Sequence, residues 1–248
     1  MSIKQKIESV GTPLKDWDIQ INYGIKTGYN DAFIISTEKR DEILANCATE
    51  EERTRTAELI RPILRGRDIK RYAYEWANLW LINTHNGVKG KIERIHIEDY
   101  PAVKAHLDLY WDKISKRADK GDTPYNLRNC AYLEDFSKPK IVWGNLNIKA
   151  GYALVEDFAF VNAPSPMIVP SSKYLLAVLN SKIADYYIRL LGVTRNGGYF
   201  EYKPMFVEKI PIPKNVDESI ISEIETSIAV KDEVKIDASI YNLYGLNK

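Results

Sequence analysis

The chain has 248 residues, 45% of them apolar and 28% charged. It is long enough to bury a core, and no apolar run approaches the ~20 residues of a membrane helix. Its net charge of +1 announces no polyanion partner by itself, but from Asn215 to Lys248 seven acids oppose three bases, a net of −4. The first 214 residues therefore carry +5, a mildly basic body ahead of an acidic tail. MSIKQKIESV lacks an apolar signal core, and Cys47 and Cys130 stand apart without a CxxC. Both fit reduced thiols in a cytoplasmic protein.

Trp17 to Ile21 alternates apolar and polar residues and predicts a strand, followed by YGIKTGYNDAF, in which Gly24 and Gly28 bracket Lys26 and Thr27. Ala32 to Ile35 predicts a second strand. Thr49 with Glu52 three residues on is a capping box, placing a helix from about Glu50 to Ile60.

The next stretch, LIRPILRGRDIKRY over Leu59–Tyr72, sets five cations (Arg61, Arg65, Arg67, Lys70, Arg71) against one acid, Asp68. A helix carrying Ile60, Ile63 and Leu64 on one face would lose its ladder at Pro62, which has no N–H and pushes Arg61 out of the α region. Gly66 permits a sharp turn, so Arg65 and Arg67 should sit on an exposed bend. Guanidinium forks there suit phosphate oxygens or the O6/N7 edge of guanine, and equally suit pairing with acids elsewhere.

Leu79 to Ile82 predicts a short strand ending at Asn86-Gly87. Pro101 opens a helix with Val103, Leu107, Tyr110 and Ile114 on one stripe, continuing through KISKRADKGD to Gly121. Lys113, Lys116, Arg117 and Lys120 decorate that end, where they could complement the helix dipole or meet a nucleic acid. KIVW, YALV, AFV and MIV between Lys140 and Val169 are short strands punctuated by Gly144, Gly151, Pro164 and Pro166, a body of rungs rather than a parallel α/β sheet. Ser171 or Ser172 caps a long helix stopped by Gly192, and Thr194-Arg195-Asn196-Gly197-Gly198-Tyr199 is a loop that could approach a phosphate, with Arg195 and Asn196 free to reach bases. KIPIPK is extended, and Asp217–Val230 and Ile236–Tyr244 read as amphipathic helices.

Catalytic tools are missing: there is no GxGxxG, GxxxxGK[ST], HExxH or GxSxG. His85, His96 and His106 lack metal-ligand spacing, and the acid pairs Asp16/Asp18 and Glu156/Asp157 read as surface or turn residues. Asn162-Ala163-Pro164-Ser165-Pro166 is superficially similar to the Asn-Pro-Pro-Tyr motif of amino-methyltransferases, but its prolines are misplaced and the stacking aromatic is absent.

Six segments in order, DWDIQINYGIKTGYNDAFII, LIRPILRGRDIKRY, KPKIVW, YLLAVLNSKIADYY, VEKIPIP and IDASIYNLYGL, cover most of the chain. As an ordered set they resemble the TaqI-type C-terminal specificity domain, the target recognition domain of type IIG restriction–modification enzymes and related adenine methyltransferases. The family also resembles the recognition domains of type I specificity subunits. One departure is Tyr125-Asn126 before Leu127-Arg128, where relatives often carry tryptophan-like aromatics; a wedge role there is not expected.

The resemblance implies an α+β fold, a short-stranded double β-helix-like body over residues 1–214 with a C-terminal α-hairpin or helical region over 215–248 that packs on the body or docks a catalytic module. It implies a noncatalytic reader of double-stranded DNA serving a methyltransferase or nuclease module in cis or in trans, either as an excised domain or as a free-standing subunit. S-adenosylmethionine and magnesium would then belong to those partner modules, leaving this chain without a cofactor. The residues expected at DNA are Arg65, Arg67, Lys70, Arg71, Lys116, Arg117, Lys120, Arg195 and Asn196. The alternative is a protein-interaction module of the same fold that tethers a methyltransferase or nuclease with little DNA affinity of its own.

Overall fold

The computed structural model of the protein describes residues 1–156 and 159–246. Asp157 of the second acid pair and the last two residues of the acidic tail lie outside them. The described residues form an α+β fold with eleven α-helices, two four-stranded sheets and three two-stranded ones.

The first sheet has the order Tyr152–Val155, Lys140–Trp143, Pro166–Val169, Gln20–Tyr23, antiparallel throughout. Side chains alternate across a strand, so a strand buried from end to end must be covered on both faces. Lys140–Trp143 is such a strand. Ile141, Trp143, Tyr152 and Ile168 turn to one hydrophobic cluster, which holds the helix Lys173–Asn180 and Ile224, Ile236, Ile240 and Tyr244 of the C-terminal helices. Val142, Ala153, Val155 and Met167 turn to the other, with the second sheet and Val103, Leu107 and Ile114. That second sheet has the order Phe160–Val161, Ile60–Leu64, Leu79–Ile82, Ile34–Ser36; only its first pair is parallel.

The chain passes between the sheets at Asn162. Phe160–Val161 belongs to the second sheet and Pro166–Val169 to the first. Beyond Gln20–Tyr23 of the first sheet, Ile25 bridges Asn162. The strands Ile60–Leu64 and Lys140–Trp143 end in Arg65-Gly66 and Gly144-Asn145, so loops from both sheets gather at this crossing.

Several predicted elements are altered by packing. Residues 30–33 form one helical turn before the strand Ile34–Ser36, because Thr27 Oγ1 donates to Asn30 Oδ1 (2.6 Å) and winds the chain there. The helix capped by Thr49 runs Glu50–Leu59 as expected, but Ile60–Leu64 is a strand with Pro62 inside it. Proline's missing donor is tolerated opposite Trp80 near that strand pair's end. The helix from Pro101 stops at Asp108, and a single turn, Trp111–Ile114, follows. Lys116, Arg117 and Lys120 therefore lie in a loop and not at a helix end. The long helix predicted after Ser172 is two, Lys173–Asn180 and Lys182–Arg189. Ser181 divides them: its Oγ donates to Val178 O (2.6 Å) and accepts from Ala184 N (3.2 Å). Just before the break, buried Asn180 exchanges two 2.9 Å hydrogen bonds with the Tyr152 backbone, standing in for a neighbouring strand.

His106 sits buried against Ala32, with Nε2 2.9 Å from its carbonyl. A carbonyl only accepts, so Nε2 carries the proton and Nδ1, buried and unpartnered among the described residues, is bare. Burial pushes the imidazole pKa below its usual value, as it does for His85. The unfolded chain then binds protons first as pH falls, so the stability these residues contribute is full above about pH 6.5 and is lost below it. The urea midpoint is expected to drop between neutral pH and pH ~5, and His106→Gln should flatten part of that slope. A midpoint constant over that range would refute the assignment.

Candidate nucleic-acid interface

At the crossing of the sheets lies a cleft of about 1320 Å³. Its walls bring together Arg65, Arg67, Lys70, Arg71, Arg195 and Asn196, six of the nine residues expected at DNA from the sequence. They come from two stretches more than a hundred residues apart. The two-stranded sheet of Phe200–Glu201 with Leu146–Asn147 closes the distance by holding the Arg195 loop beside the end of the Lys140–Trp143 strand.

The bend is built on Asp68, which is 5% exposed. Its carboxylate accepts from Arg65 N (2.8 Å), Nε (3.1 Å) and Nη2 (2.8 Å). That fork holds the Arg65 cation and raises its pKa. Arg67, at the tip of the turn, is exposed and has no side-chain partner among the described residues. Lys70 Nζ donates to Arg67 O (2.8 Å). Arg71 donates to Glu233 Oε2 (2.9 Å) of the last helix and to the Asn180 carbonyl. Across the cleft, Arg195 pairs with Glu201 (2.6 Å), which also takes Lys203 (2.9 Å); both cations lower the Glu201 pKa, Lys203 more.

Lys149, Asn145, Asn147, Asn162 and Tyr199 also line the cleft and were not expected there. Lys149 stands in the turn-rich GNLNIKAG between two strands, a signal that could have marked it. The lining holds six cations and one carboxylate, Glu201. Gly66 and Gly144 make the floor narrow: a Cβ on Gly66 would lie 2.9 Å from Ser165 Oγ, and one on Gly144 would lie 2.9 Å from Asn147 Nδ2. Among the described residues no three His, Cys, Asp or Glu side chains could hold a metal ion, and no helix is long and apolar enough to cross a membrane.

The profile of the TaqI-like C-terminal specificity domain matches residues 61–212, from Arg61 at the basic bend to Ile212. The chain belongs to this family of specificity domains. Over its whole length it is 20% identical to the type II methyltransferase M.XhoI of Xanthomonas vasicola, and it spans 44% of that relative. Its fold is similar to that of the type IIL restriction–modification enzyme MmeI, solved in complex with DNA (TM-score 0.70, 13% identity, 94% of this chain and 34% of that one). It is also similar to the type IIG restriction endonuclease BpuSI (TM-score 0.51, 12% identity, 98% of this chain and 32% of that one).

The remaining three expected contacts of this specificity domain do not line the cleft. Lys116 is exposed and without a side-chain partner among the described residues, and Lys120 Nζ donates to Ser115 O (2.8 Å). Arg117 is 7% exposed and lies over the Phe33 ring. Its guanidinium donates to the carbonyls of Thr27, Asp119 (2.7 Å), Pro124 (3.0 Å) and Asn126 (2.5 Å), pinning the GIKTGYN turn to the loop after Ile114. Burial lowers its pKa to about 10. A run of five exposed-looking charges in KISKRADK gave no sign that one of them points inward.

Arg117→Ala leaves buried carbonyls without donors and should destabilise the domain by at least about 2 kcal/mol, read as a lower urea midpoint. Lys116→Ala, at an exposed side chain, should by contrast leave the urea midpoint unchanged.

Proposed function

We propose that this chain reads the DNA target of a restriction–modification methyltransferase or endonuclease and leaves the chemistry to another module. The single observation that carries the reading is the cleft: six cations from sequence-distant loops converge on one concavity, and while Arg65, Arg71 and Arg195 pair with Asp68, Glu233 and Glu201, Arg67, Lys70 and Lys149 have no carboxylate partner among the described residues. A near-neutral chain gathers positive potential this way without a basic composition. In this reading the two sheets that cross at Asn162 act as the double β-helix-like frame implied by the family, and Arg67, Lys70, Arg71 and Lys149 hold phosphates. Arg65 and Arg195, each already oriented by a carboxylate, present a fixed guanidinium edge to the duplex. Lys116 and Lys120 would meet a flank of the duplex beyond the cleft, and Arg117 supports them through the loop it pins.

The methyltransferase or nuclease module would lie in the same polypeptide or in a partner; the chain spans under half of its curated relative, which is a type II methyltransferase. The acidic segment 215–248 would face or brace that module, since its helices share a hydrophobic cluster with Lys173–Asn180 and leave Val234 exposed.

The reading is tested by affinity against salt on duplex DNA. Each phosphate neutralised contributes about −0.9 to the log–log slope, so most of the six cations engaging gives roughly −3 to −5. Arg67→Ala should make the slope shallower by about one contact with no loss of stability. A flat response would support the tethering alternative, in which the domain captures its catalytic partner but not DNA.

A further inference from the structure

The segment Asn162–Ser165 lies at the crossing of the two sheets and lines the cleft. Asn162 is fixed there by its backbone on both sides. Its N–H donates to Leu64 O (2.8 Å) and its carbonyl accepts from Ser165 N (3.0 Å), while Ala163 N donates to Ile25 O (2.9 Å). Gly24 packs so closely behind it that a Cβ would collide with Asn162 C. The residue is only 9% exposed, yet its side-chain amide makes no hydrogen bond among the described residues and neither amide atom is buried. Both amide atoms therefore keep some exposure, on a residue whose backbone is held in place. Buried polar side chains are ordinarily hydrogen-bonded, so a carboxamide on a pinned backbone and unpaired in a cleft is an unexplained donor–acceptor pair. Asn145 lines the same cleft, and its Oδ1 is a buried acceptor without a partner among the described residues.

Resting on the reading of the chain as a DNA specificity domain, we propose that Asn162 is a base-reading residue and that its amide recognises an adenine edge in the major groove. A carboxamide offers one acceptor and one donor in a plane. Adenine offers the complement, N6–H2 and N7, whereas guanine shows two acceptors, cytosine a donor, and thymine an acceptor beside a methyl group. The surrounding guanidinium and ammonium groups grip backbone oxygens. The wrong base would leave the amide unpaired in a confined place, and that penalty is what discriminates.

The test is selection from a pool of duplexes with a randomised stretch, using the 248-residue chain and sequencing what it retains. The wild type should enrich a motif with at least one fixed A·T pair. Asn162→Ala should bind the pool with the same salt slope while losing the preference for adenine at one position, by about fivefold to a hundredfold. Asn162→Asp, of the same shape but accepting only, should shift that position towards cytosine. Thermal melts establish that both variants fold, and if the alanine variant does not, the aspartate variant decides alone. If both variants enrich the wild-type motif, or neither folds, Asn162 is not a base reader. Wild-type protein without salt-dependent duplex binding would be a different failure, removing the specificity reading and this inference with it.

Discussion

The structure depends on one strand being wrapped on both faces. Lys140–Trp143 is buried along its whole length, with Ile141 and Trp143 against the C-terminal helices and Val142 against the second sheet. A strand buried on both sides has no polar face to give water, so its neighbours in the sheet and both layers must be present together. Removing either layer would expose about half of its apolar side chains. The Trp143 indole N–H donating to Tyr202 O (2.7 Å) ties the same strand to the segment that carries the Arg195 loop.

From that constraint follows the position of the cleft. The strand ends at Gly144, the Ile60–Leu64 strand ends at Arg65, and the chain changes sheets at Asn162. Three loop starts thus meet where the regular hydrogen-bonding ladders stop. Rigid strands fix where each loop begins, and loops are free to carry polar and charged groups that a sheet interior cannot. The cations do not stand in equal states. Arg65 and Arg195 are oriented by carboxylates, Arg71 reaches the last helix, and Arg67 has no side-chain partner among the described residues. An oriented guanidinium loses less freedom on meeting a partner than a free one, while a free one answers more fully to a phosphate. Arg71 also makes the cleft and the C-terminal helices physically continuous, since one guanidinium touches both.

Much of the secondary structure was legible because it rests on local rules. Thr49 caps its helix as expected and Ser172, not Ser171, caps the next; KIVW and YALV are strands with the expected bounds, and the MIV strand also takes in Pro166. The misread elements are those in which a distant contact overrides local preference. Ser181 breaks a helix that its neighbours favour because Asn180 is needed beside Tyr152. Ile60–Leu64, where Pro62 argues against a helix and the sequence predicts no strand, is a strand because Leu79–Ile82 lies alongside. For the site, Arg67 on its glycine-permitted turn could be read directly. Arg117 could not, since its four carbonyl partners come from Thr27, Asp119, Pro124 and Asn126, and only the folded loops bring them within reach.

By itself the sequence determined the class of fold, the basic bend at Gly66 and the family likeness, because turn chemistry, capping and apolar periodicity are written in neighbouring residues. Only the tertiary structure decided which charges share a wall, which are held by Asp68 or Glu201, and that Asn162 is nearly buried with its amide unpaired among the described residues. Burial and convergence depend on what lies opposite a residue, and for Asn162 those neighbours are Ile25 and Leu64, which come to it from other parts of the chain.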